Sequence, residues 1–579
     1  MYILGINYLH ADSSVCLLKN NKIIFAAEEE RFSRIKHDGR FPKEALIKCL
    51  KYSKINFSEL NYIVINTNPI SNFWDKFIYC VKKLPKNLII NSLLKKRNKM
   101  KLINEIKNFN KKKNVTAKII YVDHHLSHLS SSYFLSPFDE AVVVSIDGFG
   151  DFSSIVTGYV KKNKIFVKRR TLFPHSLGIF YQAFTQFLGF ENYGDEYKIM
   201  GLSSYGKPKY LKELKEVIYW DEKKKSVLLN LKYFNHEKKP TFKILDDGNI
   251  KLEKLYANKL TLLFGKNRNK NDDIFDKHKD LAKSVQVMFE NLYFKVLNQA
   301  YDDYPNKNLI LSGGCTMNSV ANGKIIENTN FKKIFVQSSP GDGGGSIGAS
   351  LFHYYSNLNN DFSGKSNFSP YLGTEYTDEE IKNLLKEDER LKKFKIIEFK
   401  TYDELVKNIV EKLINKYVIG WFQGRMEWGP RALGNRSILA DPRHPNMISI
   451  INHKIKRREG FRPFAPSILV EEAENWFKNS QNSFYMEKVL NVRDDKKDLI
   501  PAVTHVDGTG RLQTVSKEIN LKFYKLIESF YKKTNIPILL NTSFNENEPI
   551  VENPKQAIDC FVRTSMDLVV LNNFMISRS

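Results

Sequence analysis

At 579 residues the chain is too long for one compact core, and its 42% hydrophobic and 13% aromatic content excludes a disordered protein. No apolar run approaches the roughly 18 residues that span a bilayer, and no basic and apolar leader opens the chain. The five cysteines (Cys16, Cys49, Cys80, Cys315 and Cys560) form no CxxC pair, so the expectation is a cytoplasmic protein with reduced thiols. The formal net charge of +26 raises nucleic acid or an anionic surface as a partner. The basic stretch 81–114, however, interleaves only Phe109 with its lysines, too few aromatics for base stacking, so it reads as a solvated helical insertion. Nucleic acid is therefore not expected as a partner.

In chain order, hydrophobic patterning predicts strands over 2–8, 15–18 and 22–27 with a hairpin at 20–21. A helix over 42–52 follows, then buried strands over 62–66, 118–122 and 141–146. Helices over 178–188 and 277–298 precede strands over 308–311 and 333–337. This alternation indicates an α/β fold. Residues 357–370 are rich in turn formers and read as a linker or crossover loop, with domains at 1–370 and 371–579. The second domain continues with a helix over 401–415 and strands over 418–422, 536–540 and 568–571. No internal repeat is detectable.

Three constellations carry chemistry. In Asp123-His124-His125-Leu126-Ser127-His128, His124 and His128 stand four apart, on one face of a helix, a spacing that suits two imidazoles on one metal ion. An isolated His-x3-His is more often a helix start with ordinary hydrogen bonds. Here Asp147 and Asp342, each at a strand end beside glycines, supply candidate carboxylates, and such a set suits iron, manganese or zinc. The second constellation is glycine-rich: Gly313 and Gly314 after one strand, and 341–345, including Gly344, before a helix start. These turns expose N–H groups suited to phosphate or adenosine, although neither is a Walker loop. The third is dense in arginine. It runs over 424–437 with Arg431 and Arg436, then Lys456, Arg462, His505 and Arg511, and Ser543 after the strand at 536–540. Guanidinium forks among Gly/Pro-framed apolar turns indicate a partly buried pocket for a compact polyanion.

The colinear motifs DHHLSH, SIDGFGD, LSGGC, SPGDGGGSIGA, EWGPRALGNRSILADPR, REGFRPFAPS and LNTSFN resemble the NodU/CmcH family of carbamoyltransferases along nearly the whole chain. The resemblance implies a TsaD-like N-terminal domain of the actin-like ATPase type. There a transition metal, ferrous iron by preference, would sit on His124, His128, Asp147 and Asp342. It also implies a YrdC-like C-terminal domain that turns carbamoyl phosphate and ATP, with Mg²⁺, into carbamoyl adenylate. The matching positions there are Lys456, Arg462, Arg511 and Ser543, with His505, Arg431 and Arg436 as further candidates. Asn318 in the LSGGC motif region joins Gly313, Gly314 and Gly344 as a nucleotide contact. The carbamoyl group would then pass to a hydroxyl of a small acceptor, with a sugar or glycan precursor as the expectation. Asp12, Asp195 and Glu196 are the candidate bases, and Lys36 and His37 the candidate contacts to acceptor or phosphate. The rival reading is a tRNA threonylcarbamoyladenosine-type enzyme, since both kinds of module serve that chemistry. The fused order and the EWGPRALGNRSI block speak against it.

Overall fold

The computed structural model describes residues 1–8, 10–83, 105–106, 116–362 and 368–578. Apart from 81–83 and 105–106, the basic stretch 81–114 lies outside the described residues. The chain is a mixed α/β protein of two compact units. One comprises Met1–Ile199, Gly206–Met317 and Ile325–Phe368; the other comprises Met200–Tyr205, Asn318–Lys324 and Ser369–Ser579. The last boundary falls within the turn-rich stretch 357–370. The excursions Met200–Tyr205 and Asn318–Lys324 leave no mark in local composition.

The first unit holds two five-stranded sheets. The first is built from β1 (Tyr2–Asn7), β2 (Ser14–Lys19), β3 (Lys22–Glu28), β4 (Tyr62–Ile65) and β5 (Lys118–Tyr121), in the order β3-β2-β1-β4-β5. β1 is antiparallel to β2, β2 to β3, and β1, β4 and β5 run parallel. Central β1 is apolar on both faces, as a strand covered by helices must be: Ile3, Leu4 and Ile6 are all buried. The second sheet contains β6 (Ala141–Gly150), β7 (Ser153–Lys161), β8 (Lys164–Leu172), β9 (Asn308–Ser312) and β10 (Lys333–Val336). Its order is β10-β9-β6-β7-β8, with β6 antiparallel to β7, β7 to β8, and β6, β9 and β10 parallel.

The two sheets therefore share one topology: a meander of three strands, then two parallel strands added to the other side of the first. The topology is thus repeated within the unit, while the sequence carries no detectable repeat. The repeat lies in the wiring and not in the residues, because the connection from β3 to β4 holds little beyond α1 (Lys43–Ser53), whereas that from β8 to β9 holds more than 130 residues. Within it lie α3 (Leu177–Phe187) and the 28-residue α4 (Asp276–Asp303). The β7–β8 hairpin also escaped the sequence reading. β8 is an edge strand carrying Lys164, Lys168, Arg169 and Arg170, and such charged edges blunt the apolar alternation that marks a strand.

Each repeat ends in a helix that follows its last strand: α2 (His124–Tyr133) after β5 and α5 (Gly345–Phe352) after β10. The two pack closely because their facing residues are small. A Cβ on Gly348 would lie 1.7 Å from the Ser127 carbonyl oxygen, so only glycine permits the approach. This contact brings the start of α2 close to the start of α5.

The second unit is built on one nine-stranded sheet. Its strands are β11 (Lys395–Glu398), β12 (Ile419–Phe422), β13 (Arg436–Ala440), β14 (Ala465–Leu469), β15 (Lys488–Asn491), β16 (Thr509–Val515), β17 (Ile538–Ser543), β18 (Leu568–Leu571) and β19 (Phe574–Ser577). The order is β11-β19-β18-β12-β13-β17-β14-β16-β15. Helices α6 (Tyr402–Ile414), α7 (Leu521–Thr534) and α8 (Pro554–Arg563) cover it through one apolar core that includes Trp421, Phe523, Phe530 and Phe561. Each starts at a side-chain cap, from Thr401, Asn520 and Asn553.

Candidate active site

In the first unit, His124, His128, Asp147 and Asp342 converge. Asp123 caps α2 by accepting from the Leu126 amide at 3.0 Å, which fixes where the helix starts and puts His124 and His128 one turn apart. Asp147 is not at a strand end, as its position suggested. It lies within β6, where the pairing with β7 breaks between Ile146 and Gly150. That irregularity leaves the Asp147 carboxylate free to turn towards the histidines. Asp342 opens the short turn before α5.

His124 Nε2 lies 3.0 Å from His128 Nε2, 3.2 Å from Asp147 Oδ2 and 3.5 Å from Asp342 Oδ1. His128 Nε2 lies 3.7 Å and 3.5 Å from the same two carboxylate oxygens. Metal–ligand bonds of about 2.1 Å separate neighbouring ligand atoms by roughly 3.0–3.4 Å, so this donor set fits one divalent cation. Asp342 Oδ1 is buried and accepts no hydrogen bond among the described residues, the state of a lone pair suited to a cation. Burial lowers the pKa of His128, but the side chains of Asp147 and Asp342 outweigh it and raise it to about 9. The two carboxylates thus favour positive charge at this point.

Neighbouring groups hold the cluster in place. Gly314 N–H donates to Asp147 Oδ1 at 2.8 Å, which gives the LSGGC turn a positioning task. Gly313, at φ +88, passes so close to Ile146 that a Cβ would meet its carbonyl oxygen at 2.3 Å, and a Cβ on Gly344 would meet that of Ser339 at 2.1 Å. Asp151, which the sequence reading missed, accepts from the His124 amide and the Asn68 amide, each at 2.8 Å, and from Thr67 Oγ1 at 2.9 Å. The middle histidine, His125, is structural: Nδ1 meets Ser145 Oγ at 2.8 Å and Nε2 the Ser153 carbonyl at 3.0 Å.

A second group stands in the same unit. His37 Nδ1 pairs with Asp12 Oδ1 at 2.7 Å, and its amide donates to Glu30 Oε2 at 3.0 Å. Burial lowers the His37 pKa, yet Asp12 and then Glu30 raise it to about 9. Gly194, at φ +82, leaves room for the ring, since a Cβ there would lie 2.3 Å from His37 Nε2. Burial pushes the nearby Glu196 carboxyl up, while Lys36 is exposed. Asp195 pairs with Lys198 at 2.9 Å.

In the second unit, Gln513 organises one face of the sheet. Its side-chain oxygen accepts from Ser467 Oγ at 2.6 Å and Asn541 Nδ2 at 2.9 Å, and its nitrogen donates to the Leu433 carbonyl at 2.9 Å. Arg511 is two residues from Gln513, and Ser543 two from Asn541, so both side chains rise from this same polar face. Arg511 Nε donates to Ser319 Oγ at 3.0 Å, and its guanidinium reaches Met200 Sδ at 4.0 Å. No carboxylate pairs with it among the described residues. Burial and the charge of Arg431 hold it well below the usual guanidinium range, and an anion relieves both. His505 lies close by, lowered to about 4 by burial, with Asp507 opposing and Arg511 assisting. Ser319 and Met200 come from the two excursions, and for that reason they escaped the sequence reading.

Lys456 is buried, and its Nζ donates to the carbonyl and Oγ of Ser543 at 2.5 and 3.2 Å and to the carbonyl and Oδ1 of Asn545 at 2.9 and 2.6 Å. Arg462 Nη1 meets Glu459 Oε2 at 3.3 Å. Arg436 is placed otherwise than its motif suggests. It is fully buried, with its guanidinium 3.6 Å from the Phe422 ring centre and on the carbonyls of Gln423, Gly424, Asn435, Thr374 and Glu552. Within the same motif, Glu427 Oε1 accepts from the amides of Leu433, Asn435 and Arg436 at 2.8–2.9 Å. Glu427 and Arg436 thus fold the loop that carries Arg431. Asn318 caps a short helix by accepting from the Ala321 amide at 3.1 Å.

Two family models cover most of the chain: carbamoyltransferase N-terminus over residues 2–351 and carbamoyltransferase C-terminus over 410–578. The chain belongs to the NodU/CmcH carbamoyltransferase family. Nodulation protein NolNO of Sinorhizobium fredii is 35% identical over 584 residues, covering 99% of this chain and 79% of its own. Uncharacterized protein sll1178 of Synechocystis sp. is 35% identical over 618 residues, covering 100% and 97%. Uncharacterized protein MJ1051 of Methanocaldococcus jannaschii is 33% identical over 591 residues, covering 100% and 99%. Among solved structures, component A of Acidaminococcus fermentans (R)-2-hydroxyglutaryl-CoA dehydratase aligns at 12% identity over 62% of this chain and 99% of its own. Its TM-score of 0.35 is too low to argue from.

Proposed function

We propose that this carbamoyltransferase is ATP-dependent and carries out one half-reaction in each unit. The observation that carries the reading is Arg511: a half-buried guanidinium beside Arg431, on a polar sheet face, with no carboxylate partner among the described residues. Such a pair suits a compact dianion, and carbamoyl phosphate is one.

In the second unit, carbamoyl phosphate is cleaved by water to carbamate and phosphate. A carbamate oxygen then displaces pyrophosphate from the α-phosphorus of Mg²⁺-bound ATP, giving carbamoyl adenylate. Arg511 and Arg431 hold the phosphate, Lys456 fixes the Ser543–Asn545 turn, and Arg462 and His505 line the approach. A partly buried pocket also protects carbamate, which water decomposes.

In the first unit the acceptor hydroxyl attacks the carbamoyl carbon, its proton passes to a carboxylate, and AMP leaves. Asp12 and Glu196 are the candidate bases, and the raised pKa of Glu196 brings it nearer neutrality. His37, charged and held by Asp12, together with Lys36 provides positive charge for the leaving phosphate. His124, His128, Asp147 and Asp342 would hold a divalent transition ion, ferrous iron by preference, and Gly313, Gly314 and Gly344 would let a nucleotide approach. When bound, that ion supplies Lewis acidity. The duplicated sheet supports a TsaD-like, actin-like ATPase reading of this unit, and the mixed nine-stranded sheet is read as YrdC-like. The acceptor is a small molecule bearing a hydroxyl, with a sugar or glycan precursor preferred.

Pyrophosphate release from the purified protein with ATP and Mg²⁺ tests the first step without any acceptor. Release that requires carbamoyl phosphate and is lost in Arg511→Ala supports the reading. Release independent of carbamoyl phosphate overturns it.

A further inference from the structure

A short helix of the first unit, Phe73–Lys83, is amphipathic the wrong way round for a soluble surface. At about 100° per residue, Phe73, Trp74, Phe77, Ile78 and Val81 fall within an arc of about 140°. That arc faces solvent: Phe73 is 55% exposed, Trp74 71%, Phe77 52%, Ile78 48% and Val81 56%, and Ile70 just before the helix is 73% exposed. The helix is attached by its other side. Tyr79 OH donates to Glu237 Oε1 at 2.5 Å, and the Tyr79 ring packs against Phe152 and Phe173, with ring centres 5.7 and 5.4 Å away. Burying the apolar arc against the body was open to this sequence, yet the side that docks is the one bearing Tyr79.

The charge around the arc says what covers it. Lys76 stands on one side of it, its Nζ donating to the Pro69 carbonyl at 3.2 Å, and exposed Lys82 stands on the other, beside Asp75. The sequence immediately beyond is strongly basic: residues 84–114 contain nine lysines and one arginine against the single acid Glu105. Bulky aromatic residues on one face, lysines at its borders and a basic flank are the features of helices that lie in the interface of an anionic bilayer. No helix of the described residues is long and apolar enough to cross a membrane, so the association is interfacial.

We infer that the 73–83 helix docks this carbamoyltransferase on an anionic lipid surface, with Trp74 and Phe77 inserted below the headgroups. This goes beyond the transfer reaction and stands or falls separately from it. The helix also grows out of the loop whose Thr67 and Asn68 hold Asp151, and Asp151 in turn holds the His124 amide. A docked helix therefore sets the first unit's cluster a short chain distance from the lipid surface.

The test is co-sedimentation of the full chain with phosphatidylcholine vesicles, with and without about 30% phosphatidylglycerol. The expected result is binding to the anionic vesicles alone, reduced at least about tenfold by roughly 0.5 M NaCl and by the double variant Trp74→Glu/Phe77→Glu. Both variant positions are exposed, so an unchanged thermal midpoint confirms that the loss is one of binding. Trp74 should also shift its emission to the blue on anionic vesicles, a change absent in Trp74→Phe. Wild-type protein left in the supernatant with both vesicles means that another part of the chain or a protein partner covers the arc, and overturns the inference. Equal sedimentation of the double variant, or equal binding to neutral vesicles, does the same.

Discussion

The two units gather charge in opposite ways. In the first, two histidines and two aspartates meet with ligand atoms 3.0–3.7 Å apart, and the carboxylates raise His128 instead of neutralising a nearby arginine. In the second, Arg511 and Arg431 stand together while hydroxyls and amides, not acids, line the sheet beneath them. The first arrangement suits a cation and the second an anion. The first balances unlike charges against one another; the second leaves Arg511 without a carboxylate partner among the described residues, and perturbed groups of either kind gather at functional sites.

The sharpest way to break this contrast is to remove one side of it at a time. His128→Ala with Asp342→Ala should abolish acceptor carbamoylation by about a thousandfold and strip bound transition metal, measured by elemental analysis, while carbamoyl-phosphate-dependent pyrophosphate release persists. Chelator dialysis followed by metal return should reproduce and then reverse the same split. If pyrophosphate release falls equally, the division of labour between the units is wrong. Arg511→Ala should do the converse, lowering pyrophosphate release about a hundredfold with metal content unchanged, and Arg511→Lys should recover only part because a point charge cannot replace the fork.

A third variant separates ligand from scaffold. Arg436→Met leaves five carbonyl acceptors without their donor, so urea unfolding in the absence of any substrate should show a loss of about 3 kcal/mol. An unchanged urea midpoint with weakened ATP use would instead place Arg436 on the nucleotide.

The smallest effect concerns pH. His37, raised from its ordinary 6.5 to about 9 against the opposing effect of burial, adds stability that is complete below about 6.5 and lost as pH rises through 9. The gap in thermal midpoint between wild type and Asp12→Asn should therefore narrow between pH 7 and pH 10. A gap independent of pH would show that Asp12 does not hold an imidazolium.

Much of this was legible in the chain itself. The strands at 2–8, 22–27 and 62–66 lie within a residue of β1, β3 and β4, because buried strands carry unbroken apolar runs. His124 and His128 were legible because a helix repeats its face every four residues, and Arg511 because arginine among glycines and prolines is seldom merely a solvated surface. What stayed hidden was non-local. Ser319 and Met200 reach Arg511 through excursions of seven and six residues. Arg436 looked like its neighbour Arg431 until the carbonyls around it were visible. The duplicated sheet left no trace in residue identities, since a topology constrains where strands run and not which apolar residues fill them.

That duplication has one more consequence. His124 and His128 follow the last strand of the first repeat; Asp147 and Asp342 belong to the first strand and the last turn of the second. Each half contributes two of the four converging side chains, and neither half alone assembles the cluster. The cluster therefore depends on how the two sheets are joined: a change confined to either half leaves only two of the four side chains to converge.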